Sequence, residues 1–295
     1  MHTRGPARNP SLQTQPAEVR AGAGKKRQSP SLGALSTLYE RRWLLWYFVQ
    51  RQISQNYKSS FLGFAWAFLT PLLMIALYTL IFSEVVGLRF RDSDSVANFG
   101  IYLYCGLVPF LTYAESLNKA VGTIRSNSAL VQKVVFPLEL LPLSNALTAF
   151  ISQFFGLGVL VVIASIWEGQ LQWTVALLPL IMIPQLLFIV GLGYLFATIG
   201  AYLPDVQEAL KAVVRASFFA TPIIWEAQRA YDAGLGFLVD YNPLAILVEG
   251  YRNLLLDGEI PAMTPTLGFL AFSVVLCVVG FVLFNRLKQN FADLV

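Results

Sequence analysis

The sequence predicts an all-α integral membrane protein of six transmembrane helices, with an N-terminal amphipathic interfacial helix and a re-entrant helix pair between the fifth and sixth spans. Three observations predict it. The 295-residue chain is 56% hydrophobic and only 13% charged, against roughly 25% charged residues in soluble domains, and its mean hydropathy is +0.60. Uncharged apolar runs recur along it at about the 20 residues that a helix needs to cross hydrocarbon. Ten of the 21 Lys and Arg lie before Phe61, against only Glu18 and Glu40, so that part carries net +8 and the remainder net −4. Such an excess of cations marks the cytoplasmic side.

Residues 1–33 contain four prolines, scattered Arg and the run Lys25, Lys26, Arg27, with too little apolar surface to fold alone. They are expected to be a disordered basic cytoplasmic tail, able to hold anionic lipid headgroups. No apolar h-region follows the early charges, so no cleavable signal peptide is predicted. Residues 34–58 read as the amphipathic helix. On a helical wheel Glu40, Arg41, Arg51 and Gln55 share one side and Leu38, Trp46, Val49 and Ile53 the other. Trp43, Trp46, Tyr47 and Phe48 suit the inner headgroup region. Residues 59–295 then form the six-span domain.

The first span, 63–83, carries no charge, and the cations before it orient it from inside to outside. The second starts near Ala97 and runs on to Glu115 and Lys119, a favourable helical pair with the acid first. Either charge alone at mid-bilayer costs about 2.5–3.5 kcal/mol, which places both near the inner end or facing protein. Residues 126–144, SNSALVQKVVFPLELLPLS, follow on the cytoplasmic side, and Arg125 and Lys133 agree. There Ser126 or Asn127 is positioned to cap a short helix through Gln132 or Lys133, and Pro137 and Pro142 set the turn into the third span.

Residues 140–167 and 169–204 are uncharged and make the third and fourth spans, with Trp167 and Trp173 at the outer aromatic belt. The fifth, 209–225, carries Lys211 and Arg215 in its first two turns and crosses if both snorkel to the inner interface. The sixth is 263–285. Arg286 and Lys288 follow it, so both termini are cytoplasmic. Between the fifth and sixth, 226–262 mixes apolar pieces too short to cross with Asp240, Glu249, Arg252 and Asp257. This reads as two helices that dip into the outer leaflet and return, hinged at Asn242 and Pro243; an ordinary outer loop on the surface is the alternative.

Much chemistry is excluded. Cys105 and Cys277 sit inside apolar runs and the only histidine is His2, which removes a disulfide framework, His-based acid–base catalysis and most transition-metal sites. No GxxxxGK[ST] string occurs, so any nucleotide must be bound by another chain. Asp92, Ser93 and Asp94 match a glycosyltransferase DxD but stand in a short outer loop with no soluble domain around them. Charges are nearly absent from the apolar centres, which disfavours an ion-coupled carrier. Aromatics are plentiful instead: Phe64, Trp66, Phe68 and Tyr78 in the first span, Tyr102, Tyr104, Phe110 and Tyr113 in the second, Phe218, Phe219 and Trp225 in the fifth. Sugar rings stack their apolar face on such groups, although lipid or core packing explains most of them equally well.

At 57–71, YKSSFLGFAWAFLTP, the sequence resembles the membrane subunits of polysaccharide-exporting ABC transporters, the type-two permeases that export O-antigen, capsule and teichoic acid chains. That family's order of Tyr, Ser, LG, Trp and Pro is similar to Tyr57, Ser60, Leu62 with Gly63, Trp66 and Pro71. The likeness continues over 130–142, at Thr221, Pro222 and Ile223, and at Asn242 and Pro243 with Arg252 beyond, and covers about residues 36–290. Leu138 stands where the family often has Arg after FP, and Pro204 where it often has Arg before Asp205.

The resemblance implies a permease rather than an enzyme. It implies a homodimer in the cytoplasmic (inner) membrane of a bacterium, with two copies of a separate ATPase subunit that bind ATP and Mg; it implies no cofactor on this chain, no metal and no nucleic acid partner. A lipid-linked glycan would pass between the two copies, through a channel lined chiefly by first and fifth spans, with Phe64, Phe68, Tyr78, Phe218, Phe219 and Trp225 as candidates. Ser126, Asn127, Leu130, Val131 and Lys133 would form the coupling helix against the ATPase. Arg51, Tyr57, Lys58 and Trp66 would form the inner gate region, where Tyr57 and Lys58 could meet the pyrophosphate of an undecaprenyl-type carrier, or Lys58 could serve only as a topogenic charge. Asn242, Pro243 and Arg252 would belong to the outer re-entrant gate. The expected function is ATP-driven export of a lipid-linked polysaccharide; the alternatives are export of a small lipophilic molecule or lipid, and a membrane enzyme of glycolipid assembly.

Overall fold

The computed structural model describes residues 40–58, 61–81, 96–132, 136–169 and 172–294. The basic tail, Leu38, the DxD residues Asp92 to Asp94, and Lys133 lie outside the described residues. Among the described residues the chain is helical, with no strand. Four stretches are long and apolar enough to cross a membrane, Gly63–Ile81, Leu140–Ile166, Trp173–Tyr202 and Met263–Asp293. They coincide with the expected first, third, fourth and sixth spans. Their principal helices are α2 (Trp66–Tyr78), α6 (Leu140–Glu168), α7 (Pro179–Tyr202) and α12 (Met263–Leu287).

The expected second span is α3 (Val96–Val121), whose 26 residues rise about 39 Å. It is the core of the bundle. It packs against α2, α6 and α7, and Leu103, Cys105, Ser116, Leu117 and Ala120 are fully enclosed. Glu115 and Lys119, in its last turns, form the anticipated pair, at 2.6 Å. Helices α7 and α12 pack together where Gly191 faces Gly280. A Cβ on Gly191 would lie 2.7 Å from Cys277 N, and one on Gly280 would meet the Gly191 carbonyl, so small residues let two apolar helices share a long seam.

The fifth crossing expected over 209–225 is not one continuous helix. α8 (Val206–Ala220) has 15 residues, about 22 Å, short of roughly 30 Å of hydrocarbon. Pro222 stops it: the residue before a proline is pushed to extended backbone, and Thr221 takes φ −99°, ψ 139°. Only Leu210 and Val214 of α8 are buried.

Residues 226–262 form three short helices rather than two. These are α9 (Ala227–Asp232), α10 (Phe237–Asp240) and α11 (Pro243–Arg252), the last continuing into a π turn, Asn253–Asp257. The break falls at Asn242 and Pro243 as anticipated: Asn242 caps α11, its Oδ1 accepting from the Leu244 N–H at 3.0 Å, and Pro243 opens the first turn, where its missing N–H is harmless. α11 is no surface loop. Leu244, Leu247, Val248, Tyr251 and Leu254 are buried, and α11 packs against α3, α7 and α12. α9 and α10 leave Tyr231 and Phe237 exposed, as is Tyr241 just after α10. The Tyr231 hydroxyl donates to Asp240 Oδ1 at 2.6 Å, and this bond to the carboxylate raises the phenol above its ordinary pKa.

Ahead of the bundle, α1 (Arg42–Tyr57) lies against α6. Val49 is fully buried, Gln52 Nε2 donates to Ser144 Oγ at 3.0 Å, and Phe48 meets Phe136 edge-on at 5.7 Å. The wheel put Trp46 with Val49, and the fold separates them: Trp43, Trp46 and Tyr47 are all exposed. A helix resting on one neighbour buries only a narrow stripe, and 60° of rotation carries Trp46 off it.

Candidate functional site

Three groups of anticipated residues lie in different parts of the fold. The first is the turn after α3, which forms two one-turn helices, α4 (Thr123–Ser126) and α5 (Ser128–Val131), instead of one helix through Gln132 or Lys133. Asn127 occupies the N-cap position of α5 but accepts no capping bond; its Nδ2 donates back to Thr123 O at 2.8 Å. Ser126 likewise donates back, to Gly122 O at 2.9 Å. Val131 is buried within this chain and Leu130 packs on the core. The outward face of these turns is therefore Arg125, Ser126, Ala129 and Gln132 rather than Leu130 and Val131.

The turns are tied to the end of α7. Arg125 Nε donates to Gly200 O at 3.2 Å and Nη2 to Ala201 O at 3.0 Å, where a cation also favours the C-terminal end of a helix dipole. Close approach demands a glycine here, because a Cβ on Gly200 would strike the Val121 carbonyl. Beside these turns a cleft of about 540 Å³ opens, bounded by Gln52 and Gln55 of α1, Asn118 and Lys119 of α3, and Gln207 at the start of α8. Among the described residues no carboxylate lines it. Such a wall offers many neutral donors and acceptors and a positive bias, which suits hydroxyl-rich or anionic head groups.

The inner gate candidates adjoin this region along the chain. Arg51 and Lys58 are exposed and Trp66 is 36% exposed; among the described residues no hydrogen bond, ion pair or ring contact joins them. The side chain of Tyr57 lies outside what is described.

The second group is aromatic. Phe64 and Phe68 enclose Phe155 of α6 edge-on, at 5.0 and 5.7 Å, yet remain 49% and 43% exposed. Phe218 of α8 packs between Phe110 of α3 and its neighbour Phe219, each at 5.3 Å, and Phe219 is exposed. Trp225 Nε1 donates to Phe219 O at 3.0 Å. Tyr78 is half-buried at the end of α2. These rings make two separate clusters within one chain.

The third group was anticipated as two unconnected strings, and the fold makes it one unit. Arg252 is 1% exposed. Its Nη1 donates to Pro222 O at 2.5 Å and to Glu249 Oε1 at 2.8 Å, and its Nη2 to Ile223 O at 2.9 Å. The guanidinium lies 3.5 Å from the centroid of the Tyr102 ring, a cation–π contact. From the other end of α11, Asn242 Nδ2 donates to Ala220 O and Thr221 Oγ1, both at 3.2 Å. The carbonyls freed where α8 breaks at Pro222 thus find their donors on α11. Broken helices deep in a membrane protein require such internal partners.

Sequence reasoning missed a buried triad of two carboxamides and a phenol. Gln185 Nε2 donates to Gln153 Oε1 at 2.9 Å, Gln153 Nε2 to Tyr251 OH at 2.9 Å, and Tyr251 OH to Gln185 Oε1 at 2.6 Å, joining α6, α7 and α11. The available signal was a lone Gln in the middle of each of two uncharged spans.

A family model described as "ABC-2 type transporter" matches residues 44–256. The chain is 29% identical over 257 residues to the O-antigen export system permease protein RfbA of Myxococcus xanthus, covering 87% of this chain and 96% of that protein. Against the protein of the same name from Klebsiella pneumoniae the identity is 28%, over 85% and 94% of the two chains. Against the polysialic acid transport protein KpsM of Escherichia coli it is 25%, over 81% and 91%.

Proposed function

Since the chain belongs to the ABC-2 type transporter family, we propose that it is the permease subunit of an ATP-driven exporter that moves a lipid-linked polysaccharide across the cytoplasmic membrane. One observation carries this reading: relatives matched over nearly their whole length are O-antigen export permeases and polysialic acid transport proteins.

Two copies stand side by side, each with six crossings, over two copies of a separate ATPase that binds ATP and Mg. The four long apolar helices supply four crossings of each copy, α3 a fifth, and α8 with the Pro222 break the remaining one. Both termini face the cytoplasm. α1 lies in the inner interface, which its three exposed aromatics favour. The glycan passes between the copies along α2, the 3-10 turn Gly63–Ala65 that leads into it, and α8, where exposed Phe68, Phe64 and Phe219 offer stacking surfaces for sugars. Arg51, Tyr57, Lys58 and Trp66 guard the inner mouth, next to the carboxamide-lined cleft. α4 and α5 meet the ATPase. At the outer end Asn242, Pro243 and Arg252 hold the closure formed by α11 and the break after α8.

A strain deleted for this chain tests the proposal. Lipid-linked polymer should accumulate inside the cell and surface glycan should disappear. Normal surface glycan in the deletion strain would overturn the export reading.

A further inference from the structure

After α12 the chain turns into a six-residue 3-10 segment, Lys288–Asp293, that contacts α5. It is firmly seated. Phe291 is fully buried, its ring 5.3 Å from Phe284 and 6.1 Å from Tyr202. Lys288 Nζ pairs with the carboxylate of Glu139, which is 4% exposed although charged. Glu139 immediately precedes α6, at the far edge of the segment that begins with α4 and α5. Its backbone carbonyl accepts from the Tyr194 hydroxyl of α7 at 3.1 Å. The near edge of the same segment is pinned by Arg125 to the carbonyls of Gly200 and Ala201. Both edges are thus fastened, one of them by the C-terminal turn.

We propose that the C-terminal turn is a strut that holds the α4–α5 turns in register with α7 and α12, with Lys288 and Glu139 as positioning residues for coupling ATP hydrolysis to transport. Helices of four residues do not hold themselves together, since isolated turns are unstable in water. Tertiary contacts must set where α4 and α5 stand. A buried carboxylate held by one partly exposed cation resists separation, because removing Lys288 strands the charge of Glu139. A push on α4 and α5 is then delivered to α7 and α12 rather than lost in a yielding loop. The inference rests on the proposed export function and on α4–α5 as the surface that meets the ATPase.

The test uses the chain copurified with its ATPase and reconstituted in liposomes with undecaprenyl-pyrophosphate-linked glycan extracted from the producing cells. ATP hydrolysis and glycan transfer are read in parallel. Lys288→Glu is expected to copurify normally and keep its hydrolysis while transfer falls roughly tenfold. Exchanging the charges, Glu139→Lys with Lys288→Glu, is expected to restore transfer. Amide exchange over 123–132 should quicken in the single variant and return to the parent rate in the exchanged pair. Parent-like transfer in Lys288→Glu overturns the strut, and so does an exchanged pair that hydrolyses ATP but remains uncoupled. Should Lys288→Glu not assemble, Lys288→Gln is compared with Glu139→Gln/Lys288→Gln. The strut requires transfer to be lost in the first and kept in the second, and equal transfer in both overturns it. A parent complex that hydrolyses ATP and moves no glycan contradicts the export reading instead.

Discussion

Arg252 shows why a charge can sit in an otherwise apolar bundle. Its guanidinium meets two backbone carbonyls, a carboxylate and a ring face, all inside the fold. A planar fork satisfies the first three at once, whereas a lysine ammonium is a point charge that cannot hold them in the same geometry. Arg252→Met leaves the carbonyls of Pro222 and Ile223 without donors and Glu249 without its cation, and should lower stability by about 3–5 kcal/mol. Arg252→Lys should fall between that variant and the parent. Thermal unfolding of the purified chain in detergent checks the order, and a parent-like transition for Arg252→Met would remove the clamp from the account. The string Asn242, Pro243 and Arg252 was visible in the sequence. That Arg252 faces inward, toward the break after α8, was not, because the contact joins residues about thirty positions apart.

At the scale of elements, the α4–α5 turns divide into a face that is free and a face that is spent. Val131 is buried in this chain and Ala129 is exposed. Ala129→Asp should therefore fold normally, while weakening recovery of the ATPase on copurification of the complex. Val131→Asp should instead reduce the yield of folded chain, because a carboxylate would enter an apolar contact. If Ala129→Asp retains the ATPase in full, these turns are not its docking face. The reversal has a simple origin: apolar residues in a short helix between two spans attract attention as a docking surface, yet the C-terminal turn and the core reach them first. α8 teaches a related lesson. Its composition suggests a crossing, but Pro222 ends the helix before the length is sufficient, and α11 completes what the break leaves unsatisfied.

For the whole molecule, the informative contrast is between helices that are enclosed and helices that are not. α3 is surrounded, whereas α2 has few buried residues and α8 only two, with Phe68, Val213 and Phe219 exposed, as is Phe64 just before α2. α12 also exposes valines, Val274, Val275, Val278 and Val279, as a lipid-facing surface does. If two copies meet along α8, cysteine placed at Val213 should cross-link between chains in membranes, and cysteine placed at Val275 should not. The opposite pattern would move the contact between copies to α12. The test belongs to the assembly, since the proposed path runs between two copies.

The sequence by itself determined the solvent, the helical class, the positions of four spans, and the family likeness, because these follow from local quantities: hydropathy summed over one window, charge at its ends, and short ordered strings. It also marked the break points, since Pro222 and Pro243 act on their immediate neighbours. Which face of each helix is used was decided only by the tertiary structure. Trp46 turned out, Val131 turned in, two glutamines met a tyrosine, and Glu139 found Lys288. The physical reason is that in lipid an apolar side chain is comfortable against a neighbouring helix or against acyl chains. Hydrophobicity therefore does not choose between them, and the choice falls to close packing at small residues and to buried polar groups that must find partners across the fold.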